Sequence, residues 1–202
     1  MYRRAIAPTA RIEKGTDMRK IIVGEFISLD GVVEAPETWH MSYASPEMFG
    51  IMWGLSDSCD TTLLGRVTYE GFAAAFADAP ADSPVAAKMN KNARVVATRT
   101  LTELSWGDST VLDGELVEAV TRLKGAEGRD ILTTGSISLV RSLLRAGLVD
   151  ELHLLVHPVV VGHGQKLFEE GEGLTFELAE ATPLDNGVIH AVYRPASVHS
   201  AG

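Results

Sequence analysis

The stretch "ILTTGSISLVRSLLRAGLVDELHLLVHPVVVG", Ile131 to Gly162, carries the reading that decides the fold. It opens on a short apolar run that ends at Gly135, the form of a strand covered on both faces. Ile137, Val140, Leu144 and Leu148 then fall on one stripe, with Arg141 and Arg145 elsewhere, as in a helix laid against a sheet. "DELHLLVHPVVVG" returns to an apolar strand. Strand, glycine, helix and strand in that order predict parallel neighbours.

The same alternation runs outward from this segment. "RKIIVGEFIS", Arg19 to Ser28, is a nearly continuous apolar strand, and a loop follows with Asp30-Gly31 and Pro36 as breakers. "SPEMFGIMWGLSD" begins a helix with Ser45 as N-cap, Pro46 at its first position and Glu47 in its first turn. "DTTLLG" is a strand, "RVTYEGFAAAFA" a helix, and Val85 to Lys91 a short helix beyond a surface loop at Asp78 to Pro84. The strands "ARVVAT" and "STVL" precede the helix "GELVEAVTRLKG". "LTFELAEATPL" and "GVIHAVYRP" close the chain as a hairpin turning at Asp185-Asn186-Gly187. This order predicts an α/β, three-layer fold with a mostly parallel sheet and an antiparallel C-terminal edge. One domain is expected over residues 18–196, between a basic leader at 1–17 and a tail at 197–202, with Met18 as an alternative start.

Charge narrows the function classes. The first 20 residues hold six Lys/Arg against two Asp/Glu, leaving 12 against 25 for the remainder. So acidic a body is a poor partner for nucleic acid, whose affinity comes from neutralised phosphates. No apolar run approaches the length of a membrane span or a signal-peptide core, and the single cysteine, Cys59, excludes an internal disulfide. The expectation is a cytoplasmic protein with no membrane or nucleic-acid partner.

Open α/β sheets take ligands at the carboxyl ends of their strands, and three junctions there stand out. "LLGRVTYE" sets Gly65, Arg66 and Thr68 at a helix start, where free N–H groups, a guanidinium and a hydroxyl suit an anion. "VVATRT" gathers Thr98, Arg99 and Thr100, a fork suited to a phosphate monoester. "TTGSIS" supplies Gly135, Ser136 and Ile137, and Ser136 can cap its helix whether or not a ligand sits there. Taken alone, each is more readily read as a turn, a capped helix start or a solvated strand end. None forms a G-x-G-x-x-G fingerprint or a P-loop. The Gly135 segment lacks the second glycine of a nucleophile elbow, so a hydrolase is not expected.

Taken together and in order, "GEFISLDGVVE", "LLGRVTYE", "ARVVATRTL" and the opening stretch continued to "GHGQKLF" resemble the dihydrofolate reductase superfamily. The resemblance is closest to the C-terminal reductase domain of the bifunctional riboflavin-biosynthesis deaminase/reductase and its stand-alone bacterial branch. It covers Met18 to Pro195. It implies an NADPH-binding reductase with Gly65, Arg66 and Thr68 at the cofactor phosphates, Thr98 and Arg99 at the adenosine 2'-phosphate, and Gly135, Ser136 and Ile137 at the pyrophosphate. Where the family usually has two glycines, this chain has Gly135-Ser136. The resemblance also implies a homodimer formed through C-terminal sheet elements, with which the run "LHLLVHPVVV" is compatible.

By the same resemblance, Asp30 of "SLDG" lies beside the nicotinamide and the substrate, and Glu47 is the match for the carboxylate that supports protonation. Read without it, Asp30 forms a turn and Glu47 complements a helix dipole. Trp39, His40 and Tyr43 stand in the variable substrate loop, where they either stack on a planar heterocycle or pack the loop. His153 and His157, four apart on a strand, lie about 13 Å apart, too far to share a metal ion. The expected activity is reduction of a small nitrogen heterocycle of pteridine or aminopyrimidine type. Alternatives are the riboflavin-pathway 5-amino-6-(5-phosphoribosylamino)uracil reductase and a non-catalytic NADPH- or ligand-binding protein of the same fold.

Overall fold

The computed structural model describes residues 18–80, 82–171 and 173–196; the expected leader and tail lie outside these residues. Eight strands form one sheet: β1 (Ile21–Ser28), β2 (Cys59–Gly65), β3 (Ala93–Ala97), β4 (Ser109–Val111), β5 (Asp130–Thr133), β6 (Glu151–His157), β7 (Phe176–Pro183) and β8 (Ile189–Pro195). Their order is β4-β3-β2-β5-β1-β6-β8-β7. All pairs from β4 to β6 are parallel, and β8 and β7 add an antiparallel edge. The expected hairpin turns where Leu184 N–H meets Val188 O at 2.8 Å and Gly187 N–H meets Leu184 O at 3.0 Å.

Five α-helices cover the two faces: α1 (Pro46–Ser58), α2 (Arg66–Phe76), α3 (Pro84–Met89), α4 (Leu116–Gly125) and α5 (Ile137–Arg145). Alternation along β1 assigns the faces. Ile21, Val23 and Ile27 pack with Val120 of α4 and with Val140, Leu143 and Leu144 of α5. Ile22 packs the other way with Leu132 and Leu55 of α1, while Leu64 and Val96 meet Tyr69 and Ala73 of α2. Burying each such side chain stabilises the fold by about 1.5–3 kcal/mol.

Local chemistry sets the helix ends. Ser45 Oγ accepts the Met48 N–H at 3.1 Å with Pro46 behind it, and Ser83 Oγ accepts from Ala86 at 3.3 Å. Helix α5 ends because Gly147 takes φ 65, letting Leu148 N–H return to Leu143 O at 3.0 Å.

At the amino ends of the strands, buried Arg19 pairs with Asp60 and buried Lys124 with Asp150. These pairs tie the sheet at the end opposite the carboxyl ends of its parallel strands. The run "LHLLVH" is β6, an internal strand flanked by β1 and β8, so it is not itself an open edge; the exposed outer strand on that side is β7. The strand stops at His157 because Pro158 cannot continue the ladder. Among the described residues no helix is long and apolar enough to cross a membrane.

Candidate functional site

The β2–α2 and β5–α5 junctions lie side by side and are locked by two hydrogen bonds. Gly65 N–H donates to Ser136 Oγ at 3.0 Å, and Ser136 N–H donates to Thr68 Oγ1 at 2.7 Å. Gly135 and Ser136 are both left-handed, at φ 57 and 49. A Cβ on Gly135 would meet Thr68 Cγ2 at 3.0 Å, so a glycine is needed for both conformation and space. Ser136 has no such exemption and carries about 1–3 kcal/mol of backbone strain, held by its two bonds.

This corrects one sequence expectation. Ser136 occupies the N-cap position of α5, but its hydroxyl does not cap that helix. From the left-handed position the side chain turns away toward Gly65. Helix α2 likewise starts from Gly65 without a side-chain cap. Both helices therefore present first-turn N–H groups, which have no intrahelical partner, and the positive end of their dipoles at one edge.

A cavity of about 300 Å³ opens beside this lock. Gly65 and Arg66 line it from the end of β2, Thr98 and Arg99 from the end of β3, and Ser138 from α5. Thr68, Gly135, Ser136 and Ile137 form its shoulder and are not part of the lining. Thr98 Oγ1 accepts the N–H groups of Thr100 and Leu101, each at 3.2 Å, and so shapes the turn that presents Arg99. Arg66 reaches Glu70 at 3.0 Å along its own helix. Arg99 and Glu115 stand 3.8 Å apart with side chains 89% and 81% exposed, a pair weakened by water and salt.

Sequence reasoning missed the wall made by Gly114, Glu115 and Leu116. The signal was present: β4, Gly114 and α4 repeat the strand, glycine and helix order of the other junctions. The strand "STVL" and the helix from Gly114 are both read from the sequence, but at three residues β4 ends in a junction without the Arg or hydroxyl that marks the others.

The expected acids are not brought to this cavity. Asp30 Oδ1 accepts from Ser28 Oγ at 2.7 Å and from Val161 N–H at 3.0 Å, and Oδ2 accepts from Gly162 N–H at 2.8 Å. The Ser28 bond, and after it the two amide bonds, hold its carboxyl at a pKa of about 2. Asp30 is thus an anion that clamps one loop to another. Glu34 does the same one turn on, accepting from Gln165 N–H at 2.9 Å. Glu47 stands exposed in the first turn of α1, with no hydrogen bond or ion pair among the described residues.

The acid nearest the lock is Glu25, which the apolar reading of β1 passed over. It is buried, one carboxyl oxygen has no partner among the described residues, and the Gly135 backbone amide lies close enough to favour its charged form. Desolvation raises its pKa well above the usual carboxylate range, the Gly135 amide offsetting only part of this.

At the ends of β1 and β6, the loop after β1 folds into two single 3-10 turns, Pro36–Thr38 and Met41–Tyr43. They bring Trp39, His40 and Tyr43 against Phe26 and His157. Burial lowers the pKa of both histidines, that of His40 further through His157, so both are neutral near pH 7. His153 instead pairs with His190 across β6 and β8, ring nitrogens 3.0 Å apart.

The family model for the RibD C-terminal domain matches residues 19–190. YyaP, an uncharacterized protein of Bacillus subtilis (strain 168), is 27% identical over 185 residues, covering 87% of this chain and 94% of that one. Among solved structures, a candidate riboflavin biosynthesis protein of Shewanella sp. PV-4 superposes with a TM-score of 0.70 at 22% identity, over 88% of this chain and 99% of that one. Dihydrofolate reductase from Enterococcus faecalis, complexed with NADP(H), superposes with a TM-score of 0.60 at 15% identity, over 88% and 97% of the two chains. At these identities the two structural likenesses are likenesses of fold.

Proposed function

The chain belongs to the RibD C-terminal domain family, and from that premise we propose that it is an NADPH-dependent reductase of a small nitrogen heterocycle, of pteridine or aminopyrimidine type. The observation that carries this reading is the lock itself. Two helix starts without side-chain caps meet over Gly65 and Gly135, beside a cavity that holds two arginines. That donor set, backbone N–H groups with Arg66 and Arg99, matches the phosphates of a dinucleotide. The NADP(H) complex of the Enterococcus faecalis reductase supports the choice of nucleotide.

In this reading the first turns of α2 and α5, including Ile137, face the pyrophosphate, and Arg66 adds charge beside them. Thr68 and Ser136 hold the junction; Thr98 shapes the turn that offers Arg99 to the 2'-phosphate. When bound, NADPH supplies the hydride. The protein's part is to orient the heterocycle at the end of β1, shield it from water and manage the proton. Asp30 fixes the loop, and the buried Glu25, its pKa raised by desolvation, adjoins the lock, with Glu47 exposed at the start of α1. Neither Asp30 nor Glu47 lines the cavity, and the acid that does, Glu115, faces Arg99; this favours a second reading, an NADPH- or ligand-binding protein without catalysis. The 5-amino-6-(5-phosphoribosylamino)uracil reductase reaction is a narrower form of the first.

The proposal includes a single domain over residues 18–196, a cytoplasmic location and a homodimer. Strand β7 offers an exposed outer edge with Leu178 57% accessible, a surface that pairing between copies would cover. The deciding experiment is NADPH oxidation followed at 340 nm with dihydrofolate, pterins and aminouracils. Turnover with one of them is expected. Saturable NADPH binding without turnover on any would favour the binder.

A further inference from the structure

His157 stands at the centre of a box of rings. Phe26, Trp39, His40 and Tyr43 surround it at centroid distances of 5.7, 5.3, 5.9 and 5.7 Å, each nearly perpendicular to its plane. It is 0% exposed, and its Nδ1 lies 2.7 Å from Leu155 O. A carbonyl accepts only, so Nδ1 carries the ring proton and Nε2 is a bare acceptor. That Nε2 is buried and, among the described residues, has no partner.

His40 completes the anomaly. Its ring lies flat on Phe26, centroids 4.4 Å apart and planes 12° apart, the arrangement a planar ligand would take on that phenyl. Yet it is 6% exposed, and its Nδ1 is buried without a partner. Its neighbours in the loop are tied: Trp39 Nε1 donates to Glu34 O at 3.1 Å, Tyr43 OH to Pro158 O at 3.3 Å, and Asn186 holds Tyr43 O. His40 is the ring in this loop with no side-chain hydrogen bond among the described residues. Each unpartnered buried nitrogen costs about 1–3 kcal/mol, so the filled box is stable in shape but unsatisfied in its polar atoms.

We propose that this box is the heterocycle-recognition site: the substrate ring displaces His40 from Phe26, and His157 Nε2 accepts one of its N–H groups. The site thereby selects planar heterocycles that carry an N–H donor over those alkylated at that nitrogen. It rests on the reductase reading and adds to it a specificity determinant. The box lies at the end of β1, one strand from β5 and the Gly135 lock. A ring seated on Phe26 is therefore beside the place where the reading puts the nicotinamide.

The probe is 5,6-diaminouracil, with 1,3-dimethyluracil as the ring without N–H groups, each titrated calorimetrically into the full chain. Binding of the first and at least about tenfold weaker binding of the second are expected, the scale of one buried hydrogen bond. His157→Phe should lose about tenfold, His157→Gln should recover part of that loss, and His40→Ala should bind several-fold more tightly. Far-UV and thermal scans identify any variant that has not folded; the dimethyl control on wild-type protein stands independently of them. Equal affinity for the two uracils, no binding of diaminouracil at millimolar concentration, or unchanged binding by folded His157→Phe would overturn the proposal. NADPH titration in parallel separates the two levels. Failure there removes the reductase reading, whereas loss of uracil selectivity with NADPH binding intact removes only this site.

Discussion

Ser136 N–H donates to Thr68 Oγ1 across 2.7 Å, joining the first turn of α2 to the start of α5 over 68 residues of chain. With the return bond from Gly65 to Ser136 Oγ, this contact makes one rigid edge out of two separate helix starts. The geometry of that edge is what a phosphate would meet.

Thr68→Val keeps the shape and removes the acceptor, leaving the Ser136 N–H without its partner. A loss of about 1–3 kcal/mol is expected by chemical denaturation, together with weaker NADPH binding. Ser136→Gly separates two effects, because it relieves the left-handed strain while removing the acceptor for Gly65. It should be less destabilising than Ser136→Ala, which keeps the strain and loses the bond.

Arg99→Ala should weaken NADPH by about tenfold, the scale of a charge-assisted hydrogen bond, and leave NADH unchanged. Parallel losses for the two cofactors would take Arg99 away from the 2'-phosphate. Glu115→Gln removes the carboxylate that faces Arg99 and should tighten NADPH modestly, more so at low salt.

Glu25 titrates in the opposite sense to the surface acids. Its folded pKa is raised by burial, so the native state keeps a proton that the unfolded chain releases above about pH 4.3. Stability therefore falls as pH rises from that value toward the folded pKa. Glu25→Gln abolishes this slope: it should melt higher than wild type at pH 8 and show no such gain at pH 4.

Asp30 behaves conversely. Its carboxyl is held at about 2 by Ser28 and the amides of Gly162 and Val161. The clamp is complete above the unfolded value near 3.9 and is lost as pH falls through about 2. Asp30→Asn should raise hydrogen exchange at the Val161 and Gly162 amides at neutral pH. Unchanged protection there would show that the loop is held by other contacts.

The layers were legible because apolar runs, glycines and caps such as Ser45 speak locally. Gly65, Arg66, Thr98 and Arg99, which line one cavity, stand out in the sequence for the same reason, each lying where a strand gives way to a helix or turn. What escaped depends on distance. Ser136 reads as a cap until its left-handed backbone sends the hydroxyl to a residue 71 positions away. Glu25 sits in an apolar strand, where one carboxylate looks like a solvent-facing alternate until α5 covers it. Asp30 reads as a turn former or, by resemblance, as a neighbour of the nicotinamide, but its partners at Val161 and Gly162 come from a loop no local pattern connects to it. His40 and His157 acquire meaning only when the loop folds over the end of β6.

On the proposed reading, the edge built on Gly65, Thr68, Gly135 and Ser136 is a dinucleotide seat. Titration of the wild-type protein with NADPH, followed by nicotinamide fluorescence, tests it most directly. One saturable site with a Kd of about tens of micromolar or tighter is expected, with the affinity reduced in Thr68→Val. Absence of saturable binding up to about a millimolar would contradict it.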